Sequence, residues 1–153
     1  MGQIRFNDIW DGNAIARHAG IFYNPKCDIV ICHADGNRRL GGVLYTNFTG
    51  ESITCHTASW DRHWITRDMI YVCFDYPFNQ LGAKRIFGNV PEYNEAALRF
   101  NRHMGFKTVA RVEGVHPGGL AAIVMVLEKA DCKLLSVRPR EILERHKVHA
   151  HGR

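Results

Sequence analysis

Among nine histidines, His56 has the setting best suited to proton transfer. Across Ser52 to Ala58, strand alternation places Ile53, Cys55 and Thr57 on one face and Ser52, Thr54, His56 and Ala58 on the other. Cys55 then belongs with the apolar residues, and His56 faces away from them. An imidazole of ordinary pKa near 6.5 can accept a proton at neutral pH, although strand histidines are also frequently structural. The next segment, Trp60 to Arg67, gathers Arg62, His63, Arg67 and the Thr66 hydroxyl just ahead of a helical pattern. Donors clustered at a helix start suit an anion, and a solvated helix start is the plain alternative. Asn94, ahead of Glu95-Ala96-Ala97, stands where an N-cap contributes about 1 kcal/mol. His146, His149 and His151 lack i, i+4 pairing and nearby carboxylates, so no metal site is expected.

These residues depend on the elements that carry them. Gln3 to Trp10 reads as a strand, Asp11-Gly12-Asn13 as a turn, and Ala14 to about Phe22 as a helix broken by Asn24-Pro25. Cys27 to Cys32, Leu40 to Phe48 and Ser52 to Thr57 read as three strands. Turns at Asp35-Gly36-Asn37 and Thr49-Gly50-Glu51 make them antiparallel neighbours. Ile65, Met69, Val72, Cys73 and Tyr76 then follow helical spacing, with Thr66 or Asp61 as cap, Pro77 loosening the last turn and Gly82 closing it. Lys84 to Val90, reached through that helix, should be a parallel strand. Pro91 ends it; Glu95 to His103 form a helix closed by Gly105, and Phe106 to Val112 and Ala121 to Glu128 are the last strands. The order is β-α-β-β-β-α-β-α-β-β. Beyond Leu135 the pattern weakens to one amphipathic stretch at Pro139 to Leu143, then a fraying end from His146.

A chain of 153 residues fits one domain, expected over residues 1–135, with a basic C-terminal helix or tail over 136–153. Five Lys/Arg against two Glu give that tail +3 of the total charge of +5. An acidic partner, a polyanionic cofactor or a solvated surface helix accounts equally for such an excess. No aromatic platform is interleaved with the tail, which argues against a nucleic-acid partner. No run approaches the roughly 18 apolar residues of a membrane span, and no leader precedes the first strand, so a cytoplasmic location is expected. Cys27, Cys32, Cys55, Cys73 and Cys132 form no Cys-x-x-Cys pair and are read as reduced, mostly core-packing thiols.

The stretch Gln80 to Ile86, then Asn94-Glu95-Ala96-Ala97-Leu98-Arg99-Phe100 and Met104-Gly105-Phe106, resembles the GNAT superfamily of acyl-CoA-dependent N-acetyltransferases. With Trp64-Ile65-Thr66-Arg67 and the ending Asp131 to Leu135, it is similar to ribosomal-protein N-terminal acetyltransferases and phage-associated members of that branch. The likeness covers roughly residues 40 to 135, the N-terminal third matching only in element order. It implies an α/β fold with a central mixed, mostly antiparallel, six- to seven-stranded splayed sheet flanked by helices. It further implies direct acetyl transfer from acetyl-CoA to an amine on a protein N-terminus, a lysine or a small molecule.

By the same resemblance, His56 sits at the splayed strand end as base, and Thr57, Ala58 and Ser59 offer backbone donors to the oxyanion. Arg62, His63, Trp64, Ile65, Thr66 and Arg67 form the diphosphate loop, and Asn94 reaches the pantetheine. The family's loop glycines are absent, Trp64 or Ile65 standing in their place. Asn101 occupies the position of the usual tyrosine acid, which leaves Ser59, Tyr93 and Tyr45 as substitutes or the thiolate to depart unaided. These departures motivate an alternative: a catalytically reduced GNAT-fold protein that binds a host enzyme or regulator. A monomer or homodimer fits either reading.

Overall fold

The computed structural model describes residues 2–136; the sequence expectations for the basic tail, including Pro139 to Leu143 and the terminal histidines, lie outside them. Seven strands and three helices follow one another as β1 (Gly2–Phe6), α1 (Ile9–Ala19), β2 (Ile29–Asp35), β3 (Arg38–Thr46), β4 (Ser52–Ser59), α2 (Arg67–Asp75), β5 (Arg85–Pro91), α3 (Glu95–His103), β6 (Lys107–His116) and β7 (Leu120–Glu128). They build one sheet in the order β1-β2-β3-β4-β5-β7-β6, antiparallel throughout except for β4 and β5. The element order, the parallel crossover through α2 and the mixed sheet agree with the sequence reading.

Period-two alternation divides the core between the two faces of the sheet. Val30, Leu44 and Ala58 pack under Ile15 and Ala16 of α1. Ile29, Ile31, Val43, Tyr45, Ile53 and Ile86 pack on the other face with Met69, Val72 and Leu98 of α2 and α3. β2 is buried on both faces, as its continuous apolar run requires.

Several boundaries move. The first strand stops at Phe6, and α1 begins at Ile9, before the expected turn, because Asp8 caps it by accepting from the Asp11 amide at 3.0 Å. Asp11-Gly12-Asn13 is therefore helical, and Asp11 is drawn inward by Arg5 and Arg39. β6 runs on to His116, so the expected β6–β7 loop from Glu113 shrinks to the short turn Pro117–Gly119. Pro77 does break the helical ladder, but by widening it into a π turn over Tyr76–Gln80. Lacking an N–H, Pro77 cannot donate to the carbonyl of Cys73 four residues back. The Tyr45 hydroxyl donates to that carbonyl instead and ties β3 to α2.

Candidate active site

β4 and β5 pair only from Ser52↔Arg85 to Cys55↔Gly88. Beyond that point β4 stays with β3 as far as Gly41↔Ser59, and β5 stays with β7 as far as Pro91↔Ala122. Each strand is thus held from outside while the inner edges part. The result is a wedge with alternate backbone groups of both strands facing it.

On the α2/α3 face the wedge opens into a narrow apolar cleft, walled by Cys55 and Thr57 of β4, Ile86 of β5, and Ile65, Phe100 and Asn101. Such walls suit a slender, largely uncharged chain. Cys55 and Cys73 also face this cleft, yet burial pushes both thiols up to about 12. They are protonated at neutral pH and poor nucleophiles.

His56 pairs in register with Leu44 of β3 and therefore lies on the α1 face, away from the cleft. It is half-buried, its Nε2 lies 3.1 Å from Thr46 Oγ1, and desolvation lowers its pKa. A neutral imidazole and an apolar cleft consequently stand on opposite faces of one strand, at the point where the sheet is open. Of the neighbouring residues, Ala58 is buried under α1, while Thr57 and Ser59 are exposed. All three pair with β3 by one edge, leaving alternate amides toward the wedge.

The loop from β4 to α2 is anchored at both ends. The Trp60 and Asp61 amides donate to the Leu40 carbonyl at 2.9 Å. The Asp61 carboxylate accepts from the His63 amide at 2.8 Å, lies 3.1 Å from His63 Nδ1 and pairs with Arg38. The hydrogen bond from the His63 amide, with its ring and Arg38 adding to it, holds the Asp61 carboxyl below its usual range. His63 is thereby turned toward Asp61, whereas Arg62 and Arg67 stand exposed beside the helix start. Thr66 caps α2, its Oγ1 accepting from the Met69 amide at 3.2 Å. The remaining first-turn amides lie at the positive end of the helix dipole, with Asp68 opposing them.

Trp64 does not present its ring to the loop surface. It is buried, with its ring 6.3 Å from Phe100 and its carbonyl accepting a hydrogen bond from His33 Nδ1 at 2.7 Å. Gly41 of β3 makes this possible: a Cβ there would lie 2.4 Å from the indole Cγ. Where the family resemblance leads one to expect glycine in the loop, the small residue sits in the strand below it. Ile65 is half-buried in the cleft wall.

Asn94 caps α3 through Oδ1, accepting from the Ala97 amide at 3.2 Å, and is exposed. Asn101 is half-buried in the cleft. Of the substitute acids, Tyr45 lies in the cleft with its hydroxyl committed to Cys73, Ser59 is exposed at the end of β4, and Tyr93 is exposed outside the cleft. The structure thus brings His56, Thr57, Ile65, Trp64 and Asn101 around the wedge and keeps Asn94 and Tyr93 at the surface. Gly41 and Phe100 carry no chemistry of their own in the sequence; the one signal at Gly41 is a Gly-Gly pair inside a strand pattern, which marks close backbone approach. Among the described residues no group of His, Cys, Asp or Glu is arranged to hold a metal, and no helix is long and apolar enough to cross a membrane.

No protein-family model and no curated protein sequence matches the chain. Solved structures do match. The ribosomal-protein-S18-alanine N-acetyltransferase of Escherichia coli superposes with a TM-score of 0.66 at 18% identity, over 84% of this chain and 94% of that one. Arabidopsis thaliana NAA60 in complex with acetyl-CoA gives 0.65 at 13%, over 85% and 99%. Spermidine N-acetyltransferase from Vibrio cholerae in complex with CoA and spermine gives 0.64 at 13%, over 85% and 96%. The seven-stranded sheet parted between β4 and β5, matched over nearly the full length of each of these enzymes, is the GNAT acetyltransferase fold.

Proposed function

We propose that the protein is an acetyl-CoA-dependent N-acetyltransferase that acts by direct attack of a primary amine. The observation that carries this reading is the wedge between β4 and β5, opening on an apolar cleft, in a fold shared with enzymes solved with acetyl-CoA or CoA. Acetyl-CoA is a substrate here: it supplies an acetyl thioester whose C–S bond breaks as the acceptor nitrogen bonds to the carbonyl carbon, giving an amide and CoA thiol.

The residues present fit that substrate. The open strand edges can pair with the amides of the pantetheine arm as an added strand would. Arg62, Arg67 and the α2 amides offer the diphosphate a positive rim in place of a glycine loop. His56, neutral at pH 7, takes the proton of the incoming ammonium from the α1 face, directly or through water. Wedge-facing amides between Thr57 and Ser59 stabilise the charge developing on the carbonyl oxygen. Protonated Cys55 and Cys73 favour direct transfer over a cysteine-borne intermediate. No side chain is required to protonate the leaving thiolate, whose pKa near 8.5 makes it a fair leaving group. The ribosomal-protein-S18-alanine and spermidine enzymes match about equally well, so the acceptor is stated at the level these two share, an amine.

Calorimetric titration with acetyl-CoA tests the reading, and saturable binding is expected. No saturable heat at millimolar acetyl-CoA would sink it. Thiol release dependent on an added amine is the expected second result; binding without release from any amine would leave a binding protein.

A further inference from the structure

The parallel pairing of β4 and β5 ends at Cys55↔Gly88, so the next residues in that register, His56 and Asn89, stand across the opening from each other. The side of the sheet they share follows from their neighbours. A Cβ on Gly88 would lie 3.4 Å from Asn101 Nδ2 and 3.8 Å from the Phe106 ring, on the α2/α3 face, so Asn89 points the opposite way. Along β7 the same alternation holds: Met125, opposite Gly88, is buried in the core of the α2/α3 face, and Val124, opposite Asn89, is half-buried. Asn89 therefore joins His56 on the α1 face, one residue on each lip of the wedge.

That face is divided. α1 packs on Val30, Leu44 and Ala58 of β2, β3 and β4. Past the wedge, Phe87 and Asn89 of β5 lie in cross-strand register with Val126 and Val124 of β7, and Ala110 of β6 follows Val124. All five are half-buried or exposed. A molecule lying over them reaches the wedge without displacing α1. Asn89 itself is exposed, and its side chain makes no hydrogen bond among the described residues. His56 Nε2 is engaged on the far side, with Thr46 of β3. What sets Asn89 apart from other exposed polar residues is this place, opposite a neutral imidazole where the sheet is open.

A carboxamide carries an acceptor, Oδ1, and a donor, Nδ2, side by side. An amine with a carbonyl on the neighbouring carbon, as at a peptide N-terminus, can give an N–H to Oδ1 and accept from Nδ2 on its carbonyl oxygen. A lysine side chain or a polyamine has no carbonyl beside its nitrogen and can use Oδ1 alone. We propose that Asn89 binds the acceptor, clamping the α-amino group and first carbonyl of a peptide N-terminus at the mouth of the wedge, and so selects α-amines over side-chain and polyamine nitrogens. The inference rests on the acetyltransferase reading. Held from the β5 lip, the amine stands between Asn89 and His56, which takes its proton directly or through water.

Thiol release from acetyl-CoA is compared for C-terminally amidated trialanine and for spermidine. Asn89→Leu removes both amide functions at similar volume. It should raise the trialanine KM about tenfold, the worth of two neutral hydrogen bonds, and the spermidine KM about threefold, the worth of one. Acetyl-CoA binding should be unchanged, and Asn89→Gln, which keeps donor and acceptor, should recover part of the loss. An unchanged trialanine KM in Asn89→Leu, or an equal loss for both acceptors, would overturn the proposal.

Proton–nitrogen correlation spectra read the same site without turnover. The Asn89 side-chain amide resonance should move saturably with amidated trialanine, and less with its N-acetylated form. Such movement where acetyl-CoA fails to bind supports the acceptor site while the acetyltransferase reading falls. Acetyl-CoA binding with an Asn89 resonance unmoved by millimolar trialanine, CoA present or absent, refutes the site and leaves that reading standing.

Discussion

At the scale of single residues, His56 and Asp11 are charged or chargeable groups kept in place by burial, with opposite consequences. Burial lowers the His56 pKa from its ordinary 6.5, so the folded protein keeps a neutral base to lower pH than free imidazole would. The rate should fall in acid through a midpoint below 6.5. His56→Gln should lose that limb together with about 10²-fold in kcat/KM. An unchanged pH profile in the variant would remove His56 as base. The same shift has a sign in stability. The unfolded chain takes up the proton first, so the contribution of neutral His56 is whole above pH 6.5 and is lost as pH falls from there through the folded value. Urea midpoints of the wild type and His56→Gln at several pH values between 7.5 and 5 check this, the variant showing the weaker decline. Asp11 is a buried anion already matched by Arg5 and Arg39. Asp11→Asn leaves two guanidinium groups against an amide and should cost about 3–5 kcal/mol, read from urea unfolding.

At the scale of elements, the β4–α2 loop takes its shape from the strand beneath it. Trp64 can turn inward only because Gly41 has no Cβ, and His33 holds the turn through the Trp64 carbonyl. Gly41→Ala should therefore force the indole outward, at about 1–3 kcal/mol in stability. It should also weaken acetyl-CoA binding more than the distance of Gly41 from the loop surface suggests. Thermal unfolding and calorimetry on the same variant check both, and unchanged affinity beside a lowered Tm would make the contact purely structural. The helices were legible where cap and period agreed: Asn94 and Glu95 to His103 match α3 residue for residue. α1 was misplaced because Asp11 and Asn13 carry turn character that the Asp8 cap and the buried Asp11 ion pairs override.

At the scale of the whole molecule, burial sorts the thiols. Cys32, Cys55 and Cys73 are pushed up to about 12 and Cys132 is raised by burial, while Cys27 is exposed on the α1–β2 connection. Iodoacetamide should add one label to the native protein within the time that five are added in denaturant, as intact mass would show. Rapid labelling at Cys55 in the native state would mean that the wedge is wider in solution than described.

The sequence by itself determined the order of elements, the parallel crossover into β5, the two faces of β4 and the Asn94 cap of α3, because period, caps and turns are local in chain position. It could not determine that β4 and β5 part after Cys55 and Gly88, since that follows from β3 and β7 each holding one strand from outside. Nor could it place Asn89 across from His56, or Trp64 over Gly41. Those placements depend on where pairing ends and on close approach between segments more than twenty residues apart, which no local pattern records.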